Sequence, residues 1–104
     1  MRYTDPETAI QVATGEEFSI VLAGNPTTGY TWQVNTDGRH LELLDQSFER
    51  SAEHVGAGGF EIFRFRALET GETEITCEYR RPWEEEILES KRFRVTAAGQ
   101  VGLT

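Results

Sequence analysis

The stretch Phe18-Ser19-Ile20-Val21-Leu22-Ala23-Gly24-Asn25-Pro26-Thr27-Thr28-Gly29-Tyr30-Thr31-Trp32-Gln33-Val34 decides how this chain folds. Phe18, Ile20 and Leu22 occupy every second position, and so do Tyr30, Trp32 and Val34. Successive side chains of a β-strand face opposite ways, so each run offers one apolar face. Helical spacing of three and four residues is not sustained here or elsewhere. The stretch therefore reads as two strands joined by Asn25 to Gly29. That connection spends more residues than a chain reversal needs. Pro26 fixes its own φ and pushes Asn25 toward extended geometry, while Gly29 permits a φ that Tyr30 adopts only at a cost. An ordinary β-connection punctuated by Pro and Gly is one reading; a rigid loop presenting two threonines is the other.

Working outward, the same alternation recurs. Ile10 and Val12 mark a strand before this stretch. After it, Leu41 and Leu43 followed by Leu44 and Phe48 make a strand whose phase slips by one, as a β-bulge causes. Phe60 to Ala67 has a similar ambiguity, since Phe60 and Ile62 are out of phase with Phe63 and Phe65. Ile75, Cys77 and Tyr79 give a sixth strand, and Phe93 with Val95 a seventh that begins near Ile87. Short strands at this spacing predict an all-β fold, an immunoglobulin-like β-sandwich of about seven antiparallel strands. Trp32 and Cys77 fall on core faces. One domain is expected over 1–104, with its core from about Thr8 to Ala97 and a weakly held tail beyond.

At 104 residues the chain removes roughly 65% of its unfolded surface from water on folding and requires no metal or disulfide. A single cysteine excludes an internal bridge and a CxxC site. The 18 acidic and 10 basic residues give a formal charge of −8, which opposes nucleic acid and anionic lipid as partners. Arg80-Arg81 and Arg92 with Arg94 alternate with acidic residues and read as solvated strand faces. No apolar run has the length of a membrane span, and the N-terminal residues lack a signal peptide's apolar segment. A soluble monomer is expected, cytoplasmic, or periplasmic or secreted if a leader has been removed.

If every strand reverses direction, the connections alternate between the two ends of the sandwich. One end receives the Gly-containing turns Ala13 to Glu16, Asn35 to Gly38 and Glu69 to Glu72. The other receives Asn25 to Gly29, Ser51 to Gly59 and Arg80 to Glu85. The middle loop of this second set carries Gly56-Ala57-Gly58-Gly59, whose missing side chains let another backbone approach. The last sets Trp83 directly after Arg81-Pro82. Two readings of Trp83 stand open: an exposed interface anchor, or a ring folded back on the core.

These three loops resemble those of the chagasin-type inhibitors of papain-like cysteine proteases. That family carries an NPTTG-aromatic loop, a GxGG loop and an RPW or RPF loop, in that order; here they are Asn25 to Tyr30, Gly56 to Gly59, and Arg81-Pro82-Trp83. The resemblance implies a wedge that blocks the protease cleft tightly and reversibly. It implies that Asn25, Pro26, Thr27, Thr28, Gly29 and Tyr30 enter the catalytic centre, with Thr27 closest to the enzyme's cysteine and histidine. It implies that Gly56, Ala57, Gly58 and Gly59 pair with the cleft through their backbone. Trp83 would pack against an aromatic surface, on a loop shaped by Arg81 and Pro82.

Two other classes compete. An enzyme has little support, because neither His40 nor His54 has metal-ligand spacing and Cys77 lies on an apolar face. His54 reads as a solvated loop residue or a partner contact, and Glu84-Glu85-Glu86 as hydrated side chains rather than a cation site. No cofactor is expected. A generic immunoglobulin-like binding or adhesion module would use the same rim for another ligand.

Overall fold

The apolar alternation produces two four-stranded sheets packed face to face. The computed structural model describes residues 1–50 and 58–99. Its strands are β1 (Arg2–Tyr3), β2 (Ile10–Ala13), β3 (Glu17–Gly24), β4 (Thr31–Asn35), β5 (Leu41–Arg50), β6 (Gly59–Ala67), β7 (Gly71–Arg80) and β8 (Glu89–Ala98). The first sheet has the order β1-β3-β6-β5 and the second β2-β8-β7-β4. Phe18, Ile20, Leu22, Phe63 and Phe65 from the first meet Trp32, Ile75, Cys77, Phe93 and Val95 from the second in one buried cluster. The Phe18 and Phe65 rings stack with centroids 5.6 Å apart. Burying each large apolar side chain stabilises the fold by about 1.5–3 kcal/mol, so this cluster holds the sheets together.

The structure corrects the sequence reading in four places. It has eight strands among the described residues, because the two-residue β1 is too short to show a period. The sheets are mixed: β1 runs parallel to β3, and β2 parallel to β8. The N-terminal chain crosses from one sheet to the other between Tyr3 and Ile10, so both of its strands add to edges in the parallel sense. The last strand begins at Glu89, leaving Ile87 and Leu88 exposed, and it continues to Ala98. Tyr30 precedes β4 rather than starting it.

The two ambiguous strands have distinct explanations. On β5 the register shifts between Leu43 and Asp45, with Leu44 as the extra residue of a bulge. On β6 Phe63, Phe65 and Ala67 point into the core while Phe60 stands exposed on the opposite face. That outer face also carries Arg64, bonded to Glu17 and Asp45, and Arg66, bonded to Glu17.

The expected segregation of connections holds for the strand ends. At one end, Gly15 N–H donates to Ala67 O (2.7 Å), Thr14 N–H to Ala98 O (2.9 Å) and Leu68 N–H to His40 O (2.8 Å), closing the turns on one another. His40 Nδ1 also lies 2.9 Å from Asp37 Oδ2. At the other end Gly24, Gly59 and Arg50 stand in register across the first sheet, and Thr31 faces Arg80 across the second.

Cys77 is fully buried, and burial pushes its thiol up to about 12. Iodoacetamide at pH 8 should therefore label the native protein far more slowly than the denatured one. Cys77→Ala should lower unfolding stability by about 1 kcal/mol or somewhat more, measured by denaturant titration. Rapid native labelling would refute the assignment of this thiol to the core.

Candidate functional site

Asn25 organises the loop between β3 and β4. Its side-chain Oδ1 accepts hydrogen bonds from Thr27 N–H (3.2 Å) and Thr27 Oγ1 (2.6 Å), and its carbonyl accepts from Thr28 N–H (3.2 Å) and Thr28 Oγ1 (2.8 Å). These bonds wind residues Pro26–Thr28 into one 3-10 turn. Thr28 Oγ1 in turn accepts from Tyr30 N–H at 3.3 Å. Gly29, at φ 85°, ends the turn in the left-handed region that favours glycine. Thr27 and Thr28 remain exposed at the tip. Each hydroxyl donates inward, so what it offers outward is acceptor capacity.

The loop between β7 and β8 is fastened to this one. The Arg81 guanidinium lies 4.5 Å from the Tyr30 ring centroid, its Nε donates to Thr28 O (3.2 Å), and its Nη1 donates to Glu84 Oε1 (3.2 Å). Arg80 Nη1 donates to Glu84 O at 3.1 Å. These two arginines thus build the loop, which replaces the expectation that they line solvated strand faces. Trp83 is 72% exposed, so it is not a core residue. Its indole nevertheless rests beside Gly29, where a Cβ would lie 3.2 Å from Trp83 Cη2. Pro82 is exposed next to it.

Gly58 and Gly59 belong to the third element of the rim; Gly56, Ala57 and His54 lie outside the described residues. Gly58 has φ 85°, and a Cβ there would run into the Gly24 carbonyl and come within 3.0 Å of Asn25 Cβ. A Cβ on Gly59 would overlap the Glu49 carbonyl. At these two positions the close approach that glycine permits is made by the chain's own backbone: the root of the Asn25 loop at Gly58 and the end of β5 at Gly59. The described residues of the three sequence motifs thus meet at one end of the sandwich.

Comparison with known proteins accords with this geometry. The sequence profile described as chagasin family peptidase inhibitor matches residues 11–97. This chain belongs to the chagasin family. Among its relatives, amoebiasin-1 of Entamoeba histolytica is 38% identical over 77 residues, 73% of this chain and 76% of that one. Chagasin of Trypanosoma cruzi is 33% identical over 94 residues, 83% of this chain and 84% of that one. The crystal structure of the cysteine protease inhibitor EhICP2 from Entamoeba histolytica superposes with a TM-score of 0.78 at 25% identity, covering 92% of this chain and 93% of that one.

In this chagasin-family chain, residues outside the three motifs support the rim. Tyr79 Oη accepts the Asn25 N–H at 3.1 Å, and its ring lies 5.5 Å from that of Tyr30 and 4.9 Å from that of Trp32. Trp32 Nε1 donates to Ala23 O at 2.9 Å. Glu61 Oε2 accepts the Trp32 N–H at 3.0 Å, and burial raises its pKa against the opposing effect of that bond. Sequence alternation placed Tyr79 on a strand but gave no sign of its partner. Glu61 sits on the inward phase set by Phe63 and Phe65, a clue obscured by Phe60 and Ile62 on either side. Among the described residues no three His, Cys, Asp or Glu side chains gather to hold a metal, and no helix is long and apolar enough to cross a membrane.

Two variants test this construction without any protease. Gly59→Ala should lower stability by about 2 kcal/mol or more, because two strand backbones must separate to admit a methyl group; an unchanged melting temperature would contradict the close approach. Arg81→Ala should leave the sandwich folded yet speed amide hydrogen exchange at Thr28 and Tyr30 by about tenfold, as local opening loses its restraint. Equal exchange in both proteins would mean that Arg81 does not restrain the loop.

Proposed function

We propose that this chain, a chagasin-family inhibitor of papain-like cysteine proteases and not an enzyme, blocks their active-site cleft with the rim formed by Asn25–Tyr30, Gly56–Gly59 and Arg81–Trp83. The observation that carries the reading is the Arg81 bridge. It ties the threonine loop to the Trp83 loop before any partner arrives. Binding surfaces ordered in advance lose less conformational entropy on association, which favours tight binding.

The same geometry accounts for a block without turnover. A peptide bond is cleaved when the attacking atom reaches its carbonyl in a near-attack arrangement. The Thr27-Thr28 bond lies in a 3-10 turn stitched by both hydroxyls to Asn25, so an extended, substrate-like pose would break those bonds. Thr27, with exposed acceptor lone pairs, is assigned the contact nearest the catalytic cysteine and histidine. Trp83 is assigned the aromatic anchor, since a large exposed ring gains much contact area and loses little entropy. Gly58 packs on the base of the threonine loop and Gly59 on the end of β5, while the Gly56–Gly59 segment is assigned to the cleft.

Titration against papain should give stoichiometric loss of activity with nanomolar or tighter affinity, and the inhibitor should remain intact after prolonged incubation. Trypsin should be unaffected. Trp83→Ala should weaken inhibition by about tenfold or more, mainly through faster dissociation, with little change in melting temperature. Thr27→Ala should have a smaller effect that varies between papain-like targets. Cleavage at Thr27-Thr28 at substrate-like rates would overturn the proposed mode of binding.

A further inference from the structure

β4 carries the chain away from the threonine loop, and it is an edge strand. Trp32 pairs with Tyr79 on β7, but the Tyr79 carbonyl accepts from Leu88 on its other side. The Trp32–Tyr79 pair is thus of the type that exchanges no hydrogen bonds, and the Trp32 N–H points to the open edge. A partly buried N–H there needs an acceptor. Glu61 provides it from the opposite sheet, with Oε2 at 3.0 Å.

The position of Glu61 is otherwise costly. Its register partners on β3 and β5 are the apolar Leu22 and Phe48, and its carboxyl is drawn from water enough to raise its pKa. Among the described residues, Tyr79 on β7 stands beside Trp32, Tyr30 before β4 stands beside Tyr79, Lys91 on β8 places its ammonium 5.6 Å from the Trp32 ring centroid, and exposed Arg50 follows two residues beyond Phe48. Gly24 leaves room for the arrangement: a Cβ there would lie 3.1 Å from Glu61 Oε2 and 3.7 Å from Trp32 Cδ1. Trp32 itself holds Ala23 on the opposite root of the loop through its Nε1.

We infer that Glu61 is a positioning residue for inhibition: by accepting the Trp32 N–H across the sandwich, it fixes where β4 begins and therefore where Thr27 and Thr28 stand. This rests on the proposed role of the threonine loop. The inferred action of Glu61 runs through Trp32 and the loop rather than through the protease. Glutamine retains an oxygen acceptor at the same place and alanine does not, so the two substitutions separate the hydrogen bond from the charge.

The experiment measures papain inhibition at 25 °C together with the Trp32 amide resonance in a 1H–15N spectrum. Folded Glu61→Ala should inhibit about tenfold or more weakly and show a displaced Trp32 amide, while Glu61→Gln should restore inhibition to near the wild-type level. In the wild type the Trp32 amide should titrate with a midpoint above 4.5, and in Glu61→Gln that titration should vanish. Because the folded-state pKa is raised, the Glu61 contribution to stability is full below the unfolded value and declines as pH rises through the folded one. The melting temperature of Glu61→Gln should therefore gain on the wild type from pH 4.5 upward. Should Glu61→Ala not fold, Gly24→Ala displaces the carboxylate instead and should shift the amide and weaken inhibition together. Wild-type failure to inhibit papain would defeat the functional reading, whereas an inhibiting wild type matched by folded Glu61→Ala, or by Gly24→Ala with a shifted amide, would overturn the inference about Glu61. A Glu61→Gln protein as weak as Glu61→Ala would also overturn it.

Discussion

The absence of two methyl groups underlies the whole rim. At Gly58 a Cβ would strike the Gly24 carbonyl, and at Gly59 the Glu49 carbonyl. With hydrogen atoms there instead, β5, β6 and β3 converge until Arg50, Gly59 and Gly24 lie in register. Asn25 follows directly, its backbone fixed before its side chain begins to organise the threonines. Repulsion between filled shells rises far more steeply than any attraction at the rim, so this constraint comes before the hydrogen bonds built upon it.

Given that foundation, each loop is held by bonds of a different reach. Asn25 works within its own turn, through four contacts to Thr27 and Thr28. Arg81 works between loops, combining a ring stack, a carbonyl contact and an ion pair in one planar group. Tyr79 and Glu61 work from the strands beneath. Exposed ion pairs contribute little singly, so the stiffness of the rim comes from the way these bonds share atoms: Thr28, for example, is held through its N–H, its hydroxyl and its carbonyl.

Much of this was legible in the sequence because burial imposes a period. Phe18, Ile20 and Leu22 were readable as core, as were Ile75 and Cys77, since only one face of each strand reaches the opposite sheet. The slip at Leu44 was readable because an inserted residue reverses that phase. The three loop motifs stood out through Pro and Gly, whose backbone effects are local. What remained hidden depends on meetings between distant residues. Parallel addition of β1 and β2 follows from a crossover that has no local signature. Arg81 looks like a surface charge until Tyr30 and Thr28 are placed beside it. The inward phase of Glu61 was obscured by Phe60 and Ile62, and only the fold brings its carboxylate to an N–H of the other sheet.

The depth of Cys77 has a consequence for the kind of block this inhibitor makes. Exchange between a thiol and another sulfur proceeds through a thiolate with access to its target. Cys77 is fully buried, and its thiol is pushed up to about 12, so it offers neither the anion nor the access. An inhibitor seated against an enzyme whose nucleophile is itself a sulfur therefore brings no sulfur that can form a mixed disulfide with it. A mixed disulfide through Cys77 is thus closed to this inhibitor, and its block has to come from surfaces that meet and part.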